Sequence, residues 1–162
     1  YGDVLIGVVT NIGMKVTGTE YELPPDKIDI LGRLVRETYL RTVRGQYMSF
    51  NVLGRGLSRK GATSSRGFVN ILSRMLVLDP GNREEYRKAM DRLNGDKPAG
   101  YGLAPASRHY YRSDYTLHQR PGYTFDIRMV STRTARNEHG NGEGIKQYFL
   151  SDWATWLAQK GD

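Results

Sequence analysis

An α+β protein, helices first and antiparallel strands second, is predicted by three features of the sequence. Up to about residue 104 the apolar residues recur at helical spacing. From about residue 105 the chain turns rich in Tyr, Phe, Thr and Trp, and several stretches alternate with period two. Between the two textures lies "DKPAGYGLAPAS", Asp96–Ser107, whose Gly, Pro and Ala mark a boundary. Helices followed by strands, rather than alternating with them, argue for two adjoining domains, 1–104 and 105–162.

The first helix is expected over Asp3–Gly18, with a core stripe of Val4, Leu5, Val8, Val9 and Ile12. A second runs from Pro24 and Pro25 to a stop at Gly45, with Ile28, Leu31, Val35 and Leu40 on one face. The short connection makes the pair an α-hairpin. A glycine-arginine loop occupies Tyr47–Arg66. Two more helices follow, Gly67–Asp79 and Asn82–Gly95. Strands are expected over His109–Gln119, Tyr123–Arg133, Ile145–Asp152 and Ala154–Lys160. "RPGY" turns the chain between the first two.

Composition narrows the function. A formal charge of +7 and a pI near 9.7 favour an acidic partner: nucleic acid, anionic membrane or acidic polysaccharide. The absence of cysteine excludes thiolate metal sites and disulfides. No apolar run approaches the roughly 18 residues that span a bilayer. The chain opens on "YGDVLIGVV" and closes on "WLAQKGD", and is expected to be an internal piece of a larger protein.

Positive charge concentrates on Arg33, Arg36, Arg41, Arg44, Arg55, Arg59, Lys60 and Arg66, against the single acid Glu37. Most of such a run is expected to be a solvated face. The loop residues Arg55 and Arg59 stand apart. Gly54 and Gly56 permit unusual backbone angles and close approach of a ligand. A guanidinium keeps its proton, and its forked donors match carboxylate and sulfate oxygens. Neither GxxxxGK[ST] nor GxGxxG is present, which argues against a nucleotide site. The tyrosines invite base stacking, but five of the eleven fall on expected strands, where a half-buried sheet face is the commoner use. His109, His118 and His139 have no metal-ligand spacing. Asp114 and Asp126 show no glycosidase pairing. "RNEHGNGEG", Arg136–Gly144, reads as a hairpin loop carrying Glu138 and Asn141.

"FNVLGRGLSR" resembles the signature of polysaccharide lyase family 8. The likeness continues through "YGDVLI", "RSDYTLHQRPGY", "RMVSTRT", "EHGNGE" and "YFLSDWAT", in register along the whole chain. Wording and spacing are most similar to the family's chondroitin AC members. The resemblance implies the last helices of an α/α toroid, then the first strands of an antiparallel β-sandwich domain, with a substrate cleft where they meet. It implies β-elimination on an acidic polysaccharide such as chondroitin sulfate or hyaluronan. A base takes the C5 proton of a uronate, the bond at C4 breaks, and a 4,5-unsaturated sugar results. The family's catalytic tyrosine falls on Tyr1, its loop arginines on Arg55 and Arg59, and its cleft glutamate and asparagine on Glu138 and Asn141. A further histidine and asparagine of the family precede the tyrosine, outside this sequence. The resemblance implies no cofactor, no metal in this stretch, no nucleic acid or membrane partner, a monomeric full-length enzyme, and secretion or a periplasmic location. A xanthan- or hyaluronate-preferring lyase, or a non-catalytic binder of anionic polymer, are the competing readings.

The implied chemistry gives the arginine loop a task. A phenol of pKa near 10 is a poor base at neutral pH, and lowering it by three units needs about 4 kcal/mol of differential interaction. Two nearby guanidiniums favour phenolate and also stabilise the charge that grows as C5 loses its proton. The reprotonated phenol can then donate to the departing C4 oxygen. Glu138 would hold an arginine, and Asn141 would bond sugar.

Overall fold

The computed structural model describes residues 2–136 and 138–159. Helices are followed by an antiparallel sheet: α1 (Gly2–Val16), α2 (Pro25–Leu34), a small hairpin of β1 (Val43–Arg44) and β2 (Tyr47–Met48), α3 (Val69–Leu78), α4 (Arg83–Asn94), then β3 (Ala106–Tyr110), β4 (Tyr115–Arg120), β5 (Tyr123–Arg128) and β6 (Ala154–Gln159). Among the described residues no helix is long and apolar enough to cross a membrane.

The helices share one core, built from Ile6, Leu31, Val35, Phe68, Leu72, Met75, Tyr86 and Leu93. α1 enters it by a face that spacing alone did not select. Ile6, Thr10 and Gly13 are its buried residues, whereas Val4, Leu5, Val8 and Ile12 are each more than half exposed. The helix is apolar nearly all round, so its packing is decided by where small residues allow close approach. A Cβ on Gly13 would lie 3.2 Å from side-chain carbons of Leu23 and Leu78, and Arg74 Nη1 donates to the Gly7 carbonyl and to Thr10 Oγ1, both at 3.3 Å.

The expected single helix from Pro24 to Gly45 is three elements. α2 starts on Pro25 and stops at Leu34, a π-turn follows over Val35–Tyr39, and a 3-10 turn over Leu40–Thr42 leads into β1. The looser hydrogen bonding of a π-turn releases backbone groups, and the Tyr110 hydroxyl donates to the Glu37 carbonyl at 2.7 Å. Gly45, φ +57, turns the β1–β2 hairpin rather than ending a helix. Gly95, φ +85, does close α4 as expected.

The sheet runs β3-β4-β5-β6, each strand antiparallel to its neighbour. Leu117 faces Asp126, and Phe125 faces Leu157. Two strand expectations fail. His109–Gln119 is interrupted by a turn at Tyr111–Asp114, with Asp114 at φ +46, so one stretch makes two strands. Asp114 closes the turn against Ser131 and Arg133. Ile145–Asp152 forms turns rather than a strand. Its apolar residues Ile145, Tyr148 and Phe149 are exposed, so no packed face selects an extended form. Strand β5 also ends at Arg128, earlier than Arg133.

The inward face of the sheet (Tyr115, Leu117, Gln119, Thr124, Asp126) is buried, and the helical part is bound to the sheet by polar groups. Arg44, 3% exposed, donates to the carbonyls of Pro121 at 2.9 Å and Arg120 at 3.2 Å. Arg108 pairs with Glu37 at 2.6 Å. Asn51 Nδ2 donates to Asp126 Oδ1 at 2.7 Å and to the Ala154 carbonyl at 3.1 Å. The basic run seen in the sequence is therefore not one solvated face. Arg33 pairs within α2 with Asp29, Arg66 bonds Gln46, and Arg44 clamps the β4–β5 turn.

Candidate functional site

The loop after β2 carries two 3-10 turns, Phe50–Val52 and Gly54–Ser58. Ser49 starts the first by accepting from the Asn51 N–H at 3.2 Å. Gly54, φ +55, makes the bend between them, and Arg55 emerges next to it. The second contributing segment is a tight turn in which Gly140 and Glu143 exchange backbone bonds, Glu143 N–H to the Gly140 carbonyl at 2.8 Å and the reverse at 3.3 Å.

These two segments meet. Arg55 Nη1 lies 3.3 Å from Glu138 Oε1, and Arg55 Nε lies 3.5 Å from Glu143 Oε2. Arg59 grips Glu143 with both prongs, Nε to Oε1 at 2.6 Å and Nη2 to Oε2 at 2.8 Å. Glycine is needed for the approach: a Cβ on Gly140 would lie 2.0 Å from Arg55 Nη1. The hydrogen bond from Arg59, aided by its charge and that of Arg55, holds the Glu143 carboxyl below the usual carboxylate range. That depressed value sets a sign. The pairing is complete above the ordinary carboxylate pKa near 4.3 and is lost only as pH falls through the lower folded value.

A cleft of about 530 Å³ opens beside this cluster, between the helical part and the sheet. Arg59 and Arg128 line it from two sides, Gly2 and Asp3 from the start of α1, and Tyr39, Tyr110 and Tyr115 supply aromatic surface. Tyr39 stacks on Phe68 with ring centroids 3.7 Å apart. Burial pushes the Tyr39 phenol up to about 12, and it raises those of Tyr110 and Tyr115 as well. All three therefore stay neutral at physiological pH and are poor bases.

Of the residues singled out from sequence, Arg55, Arg59 and Glu138 come together. Asn141 is exposed at the tip of the 140–143 turn, φ +53, and does not line the cleft. Tyr1 lies outside the described residues. His109 Nδ1 bonds Thr116 Oγ1 at 2.8 Å across the β3–β4 pair, a role within the sheet. Sequence reasoning missed Glu143, whose only signal was a carboxylate just past a glycine turn. It also missed Asn51, inside the quoted loop signature, and Arg128, which donates to the Asn51 carbonyl at 3.0 Å. Glu143 alters the electrostatics: the cluster holds two guanidiniums and two carboxylates, so its formal charges cancel. Acidifying a phenol there depends on which charges stand nearest it, not on net positive charge.

The N-terminal alpha-helical domain model of polysaccharide lyase family 8 matches residues 1–93, and the family's super-sandwich domain model matches residues 105–162. A chondroitinase-AC of Pedobacter heparinus is 37% identical over 161 residues, 99% of this chain and 23% of that protein. A chondroitinase AC lyase solved as oligosaccharide complexes superposes with a TM-score of 0.96 at 37% identity, over 99% of this chain and 24% of the other. A Streptomyces coelicolor chondroitin AC lyase in complex with chondroitin sulphate gives 0.74 at 20% identity, over 100% of this chain and 27% of the other. A Paenibacillus xanthan lyase gives 0.73 at 17%, over 98% and 18%. The last two likenesses concern the fold alone. The chain spans about a quarter of the length of the chondroitinase relatives it matches.

Proposed function

The chain belongs to polysaccharide lyase family 8, and on that premise we propose that it carries part of the active site of a lyase that cleaves a uronate-containing glycosaminoglycan, chondroitin sulfate or hyaluronan, by β-elimination. The observation that carries this reading is the meeting of Arg55 and Arg59 with Glu138 and Glu143 at the edge of a cleft that the first residues of α1 also line. Tyr1 is the residue immediately before Gly2. Its phenol is the proposed base, since the three described tyrosines of the cleft are shifted the wrong way for that work. Arg59 and Arg128 offer fixed cations to the carboxylate and sulfate groups of the polymer. A polymer of this kind lies outside cells, which favours a secreted or periplasmic protein.

A sugar acid in the cleft would lay its carboxylate toward an arginine fork, which makes the C5 proton more acidic by drawing charge into the carboxylate. Phenolate would take that proton, and the resulting phenol would protonate the C4 oxygen as its bond breaks. The direct test supplies the intact protein with chondroitin sulfate, hyaluronan and xanthan and follows the ultraviolet absorbance of the unsaturated uronate. Product from a glycosaminoglycan is expected. Saturable binding of all three polymers with no product from any would overturn the lyase reading in favour of a binding domain. The 162-residue chain alone should give no product, because preorganised groups from elsewhere in the family's site are missing.

Glu143 is a positioning residue in this scheme. Glu143→Gln keeps the shape and removes the paired fork on Arg59, and should lower kcat about tenfold, the scale of one charge-assisted hydrogen bond. Glu143→Asp should recover part of the loss. Because the Glu143 carboxyl is held low, the parent's activity should keep this clamp on mild acidification. Unchanged kcat in Glu143→Gln would show that Arg59 needs no such holder.

A further inference from the structure

The cleft beside the arginine-glutamate cluster holds one guanidinium that the cluster does not engage. Among the described residues, Asp3, Arg59 and Arg128 are the charged side chains that line that cleft. Arg59 commits both prongs to Glu143. Arg128, half-buried at the end of β5, makes no ion pair among the described residues. Its Nη1 donates to the Asn51 carbonyl at 3.0 Å, its single hydrogen bond there. Nε is enclosed without a partner and can meet no ligand, whereas Nη2, also without a partner, keeps accessible surface.

The nearby acids are otherwise engaged. Asp126, two residues earlier on the same face of β5, is held by Asn51 and Tyr115. Glu138 and Glu143 are taken by Arg55 and Arg59. Asp3 accepts the Val4 N–H at 2.9 Å at the start of α1. Burial is the one influence on the Arg128 guanidinium and pulls it below its ordinary value, with no neighbouring charge to offset it. The group keeps its proton all the same, and a half-buried cation lacking a counter-charge is costly. An arriving anion relieves that cost. The guanidinium is also aimed in advance, because Asn51, whose carbonyl orients it, is itself fixed on Asp126 and on the Ala154 carbonyl.

We propose that Arg128 anchors an anionic group of the bound polymer through Nη2, and so makes binding in the cleft depend on the polymer's charge. The identity of the polymer rests on the lyase reading above. A glycosaminoglycan presents two kinds of oxyanion, the uronate carboxylate and, where present, an ester sulfate. Both are acceptor-only groups, which is what a guanidinium donor with no partner requires.

Isothermal titration of the intact Tyr1→Phe protein, with and without Arg128→Gln, at fixed ionic strength tests this. The ligands are tetrasaccharides of chondroitin sulfate, of unsulfated chondroitin, and of unsulfated chondroitin with its carboxyls reduced to alcohols. KM from initial rates replaces Kd if Tyr1→Phe still turns over. Arg128→Gln should raise Kd for chondroitin sulfate about tenfold, the scale of one hydrogen bond between charged groups. A loss confined to the sulfated ligand assigns the contact to sulfate, and an equal loss for unsulfated chondroitin assigns it to the carboxylate. The neutral ligand should bind both proteins alike. Unchanged Kd for both charged ligands would overturn the proposal. So would an equal loss for the neutral ligand, which would make Arg128 only a brace for Asn51. Where Arg128→Gln does not fold, crystals of the Tyr1→Phe protein with the sulfated ligand decide. A ligand oxyanion within hydrogen-bond reach of Nη2 is expected there, and water alone would overturn the assignment. Absence of product from the parent protein strikes the lyase reading alone, since the titrations need no turnover.

Discussion

Replacing Tyr1 by phenylalanine in the intact protein is expected to lower turnover roughly 10³-fold, within the range for loss of a general acid-base group. KM for the acidic polymer should stay close to the parent's, because the arginines proposed to hold its anionic groups are untouched. The split is diagnostic: a group used only as C5 loses its proton affects kcat, whereas a group that merely binds substrate affects KM. Tyr39→Phe is the matched comparison. Its phenol lines the cleft, but burial pushes it up to about 12, so it has no phenolate to lose. That change should reduce turnover by less than about tenfold, the scale of one hydrogen bond. If Tyr1→Phe retained turnover within that same factor, the base would have to be sought elsewhere. The variants also probe how the phenol is acidified. Since Glu138 and Glu143 balance Arg55 and Arg59 in formal charge, the cluster as a whole supplies no net positive field to acidify a phenol. Glu143→Gln should therefore shift the acidic, rising limb of the pH–kcat profile toward lower pH even as it lowers kcat, because one opposing charge is gone.

The order of elements was legible where local chemistry decides it. Gly95 ends α4, the alternation of β4 buries Tyr115, Leu117 and Gln119, and "RPGY" turns β4 into β5. It was not legible where a partner decides. α1 is apolar on nearly every side, so choosing Ile6, Thr10 and Gly13 for the core required knowing how closely α3 approaches. Residues 145–152 carry strand-favouring residues, Ile145, Tyr148 and Phe149, yet without a neighbour to pair with they make turns. The split of the second helix by a π-turn depends on Tyr110, seventy-odd residues away, taking up a released carbonyl. At the site, Arg55 and Arg59 stood out because glycines around fixed charges are unusual in sequence, whereas Glu138 was singled out only through the family resemblance. Glu143 was not, because a carboxylate beyond a glycine turn has meaning only once the other loop is beside it.

The bond between Asn51 and Asp126 should be among the most consequential for stability at the domain junction, and Asn51→Leu should destabilise the sheet's attachment by about 3 kcal/mol. Asp126 is fully buried, and its carboxyl is satisfied by Asn51 Nδ2 at 2.7 Å and the Tyr115 hydroxyl at 2.9 Å. Leucine keeps the branched four-atom outline of Asn51, with bulkier methyl groups in place of the amide, and leaves a buried charge short of a donor, so the loss is desolvation and not a cavity. The pH dependence identifies the cause. Burial already raises the Asp126 carboxyl above its ordinary value, and the Asn51 bond is the largest influence pulling it back. Without that bond the folded value rises further above the unfolded one. The folded state then binds more protons than the unfolded state in that window, so stability must increase as pH falls through it. The deficit of Asn51→Leu should therefore be greatest near neutrality and shrink on acidification toward the ordinary carboxylate range. Hydrogen exchange of the β5 amide protons in the intact protein reads it as an opening free energy. Asp126→Asn removes the charge, so in that background Asn51→Leu should lose most of its pH dependence and fall to about 1 kcal/mol, the scale of a bond between neutral groups. Equal effects of Asn51→Leu in both backgrounds, at all pH values, would mean that packing, not the buried carboxylate, holds the arginine loop onto the sheet.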